Sequence, residues 1–323
     1  MTGPPALSAI YQARRRLSGR IRRTPLAPVP WLSRIANGDV YVKLESLQIT
    51  GSFKLRGALN AALTLQASSS GRLRLVTASA GNHGRALAHV ADLLDIDLTV
   101  FTPREAPRTK LDAIRQHDVD LQAVGSDYED AERQAKARAR ESGATYLSPY
   151  SHPRILEGAA TIGIEIIEDL PECDAILAPV GGGGLIGGLA SAAKALNPTI
   201  ETIGVEAQAS TAFGTSLAAG HISEIVVGPT IADGLAGNMD PETITFDIVR
   251  QVVDRVVAVS EEALRAGIRS LAAEEHLIAE GAGIAALAAV ESGVVDLRGR
   301  RAAVVVSGSN IDLTRLSEIL GEG

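Results

Sequence analysis

Lys54 lies in the stretch Thr50-Gly51-Ser52-Phe53-Lys54-Leu55-Arg56-Gly57-Ala58. A lysine between a phenylalanine and a leucine, just after a Gly-Ser turn, is badly placed to serve as a solubility charge. An ammonium that loses part of its hydration loses proton affinity. A neutral amine near physiological pH is what a Schiff-base lysine needs. The competing reading is a helical lysine whose stem packs while its head reaches water. The neighbouring residues predict a helix start, with Ser52 as cap and Leu55, Ala58 and Leu59 on an apolar face.

A second candidate is the run Ala178-Pro179-Val180-Gly181-Gly182-Gly183-Gly184-Leu185-Ile186-Gly187-Gly188, which follows an apolar strand and opens a helix. Glycines let the backbone approach an anion, and a helix N-terminus offers unpaired N–H groups and a favourable dipole. The run therefore suits a phosphate group. Gly182-x-Gly184-x-x-Gly187 also satisfies the dinucleotide fingerprint, and Glu206 falls at the end of the next strand, where a ribose-binding acid belongs. A nicotinamide-dependent oxidoreductase is thus a rival from another enzyme class. It leaves Lys54 and two further segments without a role.

The first of those segments is Thr77-Ala78-Ser79-Ala80-Gly81-Asn82-His83-Gly84, another strand–loop–helix passage whose small residues expose N–H groups suited to a carboxylate. Asn82 can present its amide to a ligand hydroxyl or simply cap the helix; His83 is assigned no chemistry of its own. The second is Ala303-Val304-Val305-Val306-Ser307-Gly308-Ser309-Asn310, a buried strand ending in small polar residues. Ligands of open α/β sheets bind beyond the carboxyl ends of strands, which gives Ser307 a second reading besides that of a turn serine.

These segments must be held by a larger frame. From residue 73 onward, strand-like and helix-like stretches alternate, the pattern of parallel sheets with helices on both faces. Strands are predicted at Leu73–Ala78, Leu98–Phe101, Val119–Val124, Ala175–Pro179, Glu201–Glu206, Val256–Val259 and Ala302–Ser307. Helices are predicted over Asn82–Leu94, Pro107–His117, Asp127–Glu141, Ile155–Leu170, Leu185–Leu196, Glu261–His276, Ala282–Glu291 and Leu313–Leu320. Three βα units between 73 and 148 suffice for a compact lobe, and the turn-rich Ser148-Pro149-Tyr150-Ser151-His152-Pro153 reads as a crossing between lobes. The expected fold is α/β: two open twisted-sheet lobes with helices on both faces and a ligand cleft between them. The expected division is 1–70 with 152–323 as a large domain and 71–151 as a small mobile one.

Composition narrows the function. The chain has 323 residues, 46% of them hydrophobic, enough for a substantial core. Thirty-one basic against 38 acidic residues leave a net charge of −7, and no basic run with interleaved aromatics occurs, which argues against nucleic acid as a partner. Arg14, Arg15, Arg16, Arg20, Arg22 and Arg23 read as a solvated helix face or an oligomer contact. Cys173 is the only cysteine, so no intramolecular disulfide forms and a reducing cytoplasm fits. The opening Met1-Thr2-Gly3-Pro4-Pro5 lacks a signal-peptide pattern, and no apolar run reaches spanning length.

Taken in order, Thr50-Gly51-Ser52-Phe53-Lys54-x-Arg56-Gly57, Ser79-Ala80-Gly81-Asn82-His83-Gly84, Gly181–Gly184, Ile231-Ala232-Asp233-Gly234, Glu280-Gly281-Ala282-Gly283 and Ser307-Gly308-x-Asn310 resemble the pyridoxal-phosphate enzymes of the tryptophan-synthase β fold (fold type II). The likeness spans nearly the whole chain and is greatest to threonine/serine dehydratases and their serine racemase relatives. It implies that Lys54 forms the Schiff base with pyridoxal 5′-phosphate and acts as catalytic base, and that Phe53 packs on the cofactor ring. By the same likeness Gly181, Gly182, Gly183 and Gly184 hold the phosphate, and Leu185 and Gly234 belong to the cofactor-binding residues. Asn82 meets the ring hydroxyl and Ser307 the pyridine nitrogen. Ser79, Ala80, Gly81, Asn82 and His83 form the substrate loop.

The implied reaction is removal of water and then ammonia from a β-hydroxy L-amino acid, with L-threonine and L-serine as first candidates. Alternatives within the family are a serine racemase or a 3-hydroxyaspartate or phenylserine dehydratase; a non-catalytic protein that kept the fold is a third reading. The resemblance also implies a homodimer or larger homo-oligomer acting on a small molecule, away from membranes. Three departures from the family shape the expectation. Ala80 stands where racemases carry a serine as second acid/base. Ala212 stands where metal-binding relatives pair an aspartate with the glutamate matching Glu206, so no metal is expected. The sequence ends soon after the Ser307 strand, so no C-terminal regulatory domain, and with it no feedback by isoleucine, is expected.

Overall fold

Uninterrupted apolar runs in this chain become central strands, buried on both faces, as parallel sheets require. The computed structural model describes residues 3–322, so Met1, Thr2 and Gly323 lie outside the described residues. Ten strands are formed: β1 (Leu26–Pro28), β2 (Asp39–Leu44), β3 (Arg74–Ala78), β4 (Asp97–Pro103), β5 (Asp120–Gly125), β6 (Thr145–Tyr146), β7 (Ala175–Pro179), β8 (Glu201–Ala207), β9 (Arg255–Val259) and β10 (Arg301–Val306). They build two separate sheets. One has the order β1-β2-β10-β7-β8-β9, parallel except for the β1–β2 pair; the other is all parallel, in the order β5-β4-β3-β6.

The apolar faces of the larger sheet are covered on one side by the helix Gly281–Glu291, in which every residue from Gly281 to Val290 is buried, and on the other by the helices Pro153–Asp169 and Gly184–Leu196. The smaller sheet packs against the helices Asn82–Leu94 and Tyr128–Ser142. The helix Lys54–Ser68 joins the two. Its Leu55, Leu59 and Ala62 share a core with Leu75, Leu87 and Leu98 of the smaller sheet and its cover, while its approach is tied to β10 by the Phe53 N–H on the Ser307 carbonyl at 3.0 Å.

The seven predicted strands and eight predicted helices are all present within a few residues. Several elements had no predicted counterpart: β1, β2, β6 and the helices Leu7–Leu17, Pro30–Ala36, Ala212–Ala219 and Thr245–Val252. Two of those strands are three residues or shorter, and β2 carries a fully buried lysine that breaks its apolar pattern. The expected Ser52 cap is not formed. The helix starts after Phe53, and the buried Ser52 hydroxyl has no hydrogen-bond partner. Six arginines near the N-terminus are partly spent on the chain itself: Arg14 and Arg23 both bind Glu168, and Arg16 reaches Asn60.

Candidate active site

The carboxyl end of β10 and the start of the Lys54 helix meet because both are stripped of bulk. Ser52 and Gly308 form an isolated bridge, and a Cβ on Gly283 would collide with the Gly308 backbone. At this seam Lys54 extends into the cleft between the sheets. Its ammonium donates to the Pro149 carbonyl at 2.9 Å and sits 5.1 Å from the centroid of the Phe53 ring. No carboxylate forms a salt bridge with it among the described residues. Loss of hydration lowers its pKa to about 8, against a weaker opposing pull from Glu280.

Glu280 is the acid that faces this lysine, and the sequence reading named it only as part of a motif. Burial raises its carboxyl to about 7, offset in part by the Asn82 amide, which donates to it at 2.5 Å. The other end of the Asn82 amide accepts from Asn310 at 2.6 Å, and Asn310 also accepts from Arg85 at 2.8 Å. Asn82 therefore opens its helix while its side chain crosses the cleft to the larger sheet. His83 behaves differently. Its ring is buried with neither nitrogen hydrogen-bonded, and burial together with the nearby Lys54 charge pushes its pKa down to about 3, so it stays neutral. Ser79 and Ala80 are half-buried on the same loop, and the space beside Gly81 is open.

The glycine loop closes the cleft from the other side. Gly183 adopts φ +80° and precedes the helix Gly184–Leu196, so the first N–H groups of that helix point out of the loop. Its surroundings are tight. A Cβ on Gly181 would lie 3.1 Å from the Gly234 carbonyl oxygen, one on Gly183 would lie 2.6 Å from the Phe213 ring, and one on Gly182 would run into the Tyr150 ring. Tyr150 belongs to the same crossing segment as Pro149, so one stretch touches both Lys54 and the glycine loop. The Tyr150 hydroxyl accepts the Asp240 N–H at 3.0 Å, and Thr245 donates to the Gly182 carbonyl at 2.7 Å. Leu185 is buried behind the loop and Gly234 lies at its exposed rim. Ser307 directly follows β10, nearly buried, with its own N–H on the Gly283 carbonyl at 3.2 Å.

Pyridoxal phosphate fits these residues on structural grounds. A half-buried amine of lowered pKa suits an aldehyde, and a loop free of side chains that leads into the first N–H groups of a helix suits a phosphate. The dinucleotide alternative does not fit. Glu206, its ribose acid, is nearly buried and turned toward the N-terminus of the helix Ala212–Ala219, where it accepts the Phe213 and Gly214 N–H groups at 2.7 and 2.9 Å. Burial still outweighs those two bonds and raises its carboxyl to about 7.

Comparison with known proteins points the same way. Residues 17–308 match the family described as pyridoxal-phosphate dependent enzyme. An L-threonine ammonia-lyase of Thermotoga maritima is 38% identical over 317 residues, covering 98% of this chain and 78% of its own. A catabolic L-threonine dehydratase of Escherichia coli is 36% identical over 320 residues, covering 98% and 97%. The structure of maize serine racemase superposes with a TM-score of 0.90 at 29% identity, covering 99% of this chain and 98% of the racemase. With the cleft geometry and a match along nearly its whole length, the chain belongs to the family of pyridoxal-phosphate-dependent enzymes.

Proposed function

We propose that the protein is an ammonia-lyase that removes the β-hydroxyl and the amino group of a β-hydroxy L-amino acid, L-threonine or L-serine before others. The observation that carries this reading is Lys54: a desolvated amine at the meeting of the two sheets, in a chain more than a third identical to threonine dehydratases along its length. Bound pyridoxal phosphate supplies an aldehyde for the substrate amine and a ring that accepts electron density from the α-carbon. Gly181–Gly184 with Leu185 and Gly234 would hold its phosphate, Phe53 its ring face, Asn82 its ring hydroxyl and Ser307 its pyridine nitrogen.

The chain's own residues then divide the work. Lys54, as a free amine, takes the α-proton; its lowered pKa keeps part of it neutral near pH 7. The N–H groups of the Ser79–His83 loop orient the substrate carboxylate, which sets the direction of the α-proton. Ser307 offers a neutral hydroxyl, which does not hold a ring nitrogen protonated as a carboxylate would. That favours prompt loss of the leaving group over a long-lived carbanion. Ala80 offers only a methyl group, so a second proton donor for racemisation is missing from this loop. We assign 71–151 to a small mobile domain and 1–70 with 152–323 to a large one, a division supported by the two separate sheets. A homo-oligomer in the cytoplasm is part of the same proposal; no helix among the described residues is long and apolar enough to cross a membrane.

The test is direct. Borohydride treatment of the yellow holoprotein should fix a pyridoxyl group on Lys54, and L-threonine and L-serine should release 2-oxo acid and ammonia faster than 3-hydroxyaspartate or phenylserine. Fixation at another of the chain's lysines, or a preference for the bulkier substrates, would refute the corresponding half of the reading.

A further inference from the structure

Two residues beyond Lys54, the chain places a charge in its interior. Arg56 is fully buried, and its guanidinium forks onto two carboxylates. Nε and Nη2 each donate to Glu45 at 2.8 Å, while Nη1 and Nη2 donate to Glu165 at 2.7 and 2.9 Å. Nη1 also reaches the Thr161 hydroxyl at 3.1 Å. Glu165 is shared with the equally buried Lys43 at 2.7 Å, and Lys43 donates to the Thr24 carbonyl at 2.7 Å. The Thr24 hydroxyl completes the set on Glu45 at 2.5 Å. Two cations balance two anions. Burial opposes ionisation of Glu165, but Arg56 and Lys43 together hold its pKa below the usual carboxylate range, so it stays an anion between them; burial in turn lowers the Lys43 pKa against the pull of Glu165.

Such a cluster is a poor source of stability. Desolvating four ions is costly, and well-packed apolar residues of similar volume usually hold an interior as well or better. What a forked guanidinium does supply is fixed geometry. Here it ties β2 through Lys43, the turn after β2 through Glu45, the Lys54 helix through Arg56, and the helix Pro153–Asp169 through Thr161 and Glu165. Those two helices also touch at their glycines. A Cβ on Gly57 would lie 2.9 Å from the Ile155 carbonyl oxygen, and one on Gly158 would strike the Arg56 backbone. The helix Pro153–Asp169 begins four residues after Pro149, the hydrogen-bond acceptor of Lys54. The segment that carries the Pro149 carbonyl thus leads straight into the helix that carries Glu165.

We infer that Arg56 is a positioning residue: by forking onto Glu45 and Glu165 it fixes the rotation of the Lys54 helix against the helix Pro153–Asp169, and so aims the Lys54 amine into the cleft. This rests on the reading of Lys54 as the cofactor-binding lysine. Two variants test it on the full chain, Arg56→Lys and the charge-free, apolar Lys43→Met/Glu45→Met/Arg56→Met/Glu165→Met. Trace acetylation of the cofactor-free protein across pH, read by mass spectrometry at Lys54 against Lys194, reports the pKa of Lys54 without any need for turnover. Thermal unfolding of the same samples reports the fold.

The charge-free variant should unfold near the wild-type temperature or above it. Its Lys54 midpoint should nevertheless rise by about one pH unit or more as the amine gains hydration, slowing labelling near neutrality by about tenfold. Arg56→Lys keeps the charge but not the fork, and should move the midpoint in the same direction. Folded variants with a wild-type midpoint would overturn the positioning role. Should the charge-free variant not fold, Arg56→Lys alone decides the matter by the same criterion. Borohydride fixation of the wild-type chain separates this from its premise: a pyridoxyl group on another lysine sinks the Lys54 reading, whereas one on Lys54 with unmoved variants sinks only the role of Arg56.

Discussion

The loops Gly181–Gly184 and Ser79–Asn82 occupy equivalent places, each between the end of a parallel strand and the start of a helix, yet they are packed in opposite ways. The glycine loop is walled in by Tyr150, Phe213 and the Gly234 carbonyl, so most of its glycines are dictated by neighbours as much as by any ligand. Beside Gly81, a Cβ would meet nothing within 4 Å. In the proposed reading the closed loop would cradle a group that stays, and the open one would receive a substrate that comes and goes. The side chains differ in the same sense. The closed loop offers backbone alone, while the open loop sends Asn82 across the cleft to Glu280 and Asn310.

The largest effect separates the cradle from the chemistry. Lys54→Ala should lower turnover by about 10⁴-fold or more, because it removes both nucleophile and base. Pyridoxal phosphate should still raise the unfolding temperature of that variant, since the cradle is a separate part of the site. A variant that keeps wild-type 2-oxo acid production would end the assignment of Lys54.

Alanine placed in each loop breaks the comparison itself. Gly182→Ala drives a methyl group into the Tyr150 ring, and overpacking of this kind costs about 1–3 kcal/mol, which taken from cofactor retention is about 5–150-fold. Gly81→Ala enters open space, so equilibrium dialysis should find cofactor affinity within about threefold of wild type, with the change falling on KM. Equal losses in the two variants would show that the loops are not packed as different environments.

Much of this arrangement was legible in the sequence, and the limits are instructive. The strand–glycine–helix and strand–small-loop–helix passages are local signals, and the central strands β7 and β10 announce themselves as apolar runs. β2 does not, because Lys43 interrupts it, and the Glu165 that neutralises that lysine lies 122 residues away. Glu280 and Tyr150 were missed as site residues for the same reason. A glutamate before a Gly-Ala-Gly turn reads as a surface charge until folding brings Asn82 and Lys54 against it. Nothing near Tyr150 in sequence tells that its ring will lie on Gly182. Glu206 lent itself to the rival dinucleotide reading because its actual partners are N–H groups of a helix the sequence did not announce.

The environment of Lys54 sets a pH dependence of smaller size. A folded pKa lowered from 10.5 to about 8 means the neutral amine is scarce below that value and complete above it. Capture of pyridoxal phosphate by the cofactor-free protein should accelerate about tenfold per unit as pH rises toward 8, then level off. Continued acceleration up to the ordinary lysine range would mean that the cleft does not desolvate the amine. Glu280 titrates nearby, about 7 in the folded protein, and its ionisation favours the protonated lysine, so Glu280→Gln should move the plateau to lower pH.

The smallest change in overall rate, and the finest test of the open loop, comes from Ala80→Ser. Inverting an α-carbon through two bases needs a proton donor on each face, and Lys54 supplies one. The half-buried Ala80 methyl group supplies nothing, and the Ser79 hydroxyl beside it is folded back onto its own loop, where its oxygen accepts the Gly81 N–H at 3.2 Å. General acid–base groups contribute about 10²–10⁴-fold, so wild-type racemisation should lag elimination by at least that order. Incubating L-serine in deuterated water and following pyruvate and D-serine together measures the ratio. Ala80→Ser should raise the D-serine share while total consumption of L-serine changes by less than about threefold, because the lysine face is untouched. A wild-type enzyme that forms D-serine as fast as pyruvate would require a donor on another element. An unchanged ratio in the variant would mean that the loop does not reach the second face of the substrate, and the open space at Gly81 would then belong to the side chain of the amino acid instead.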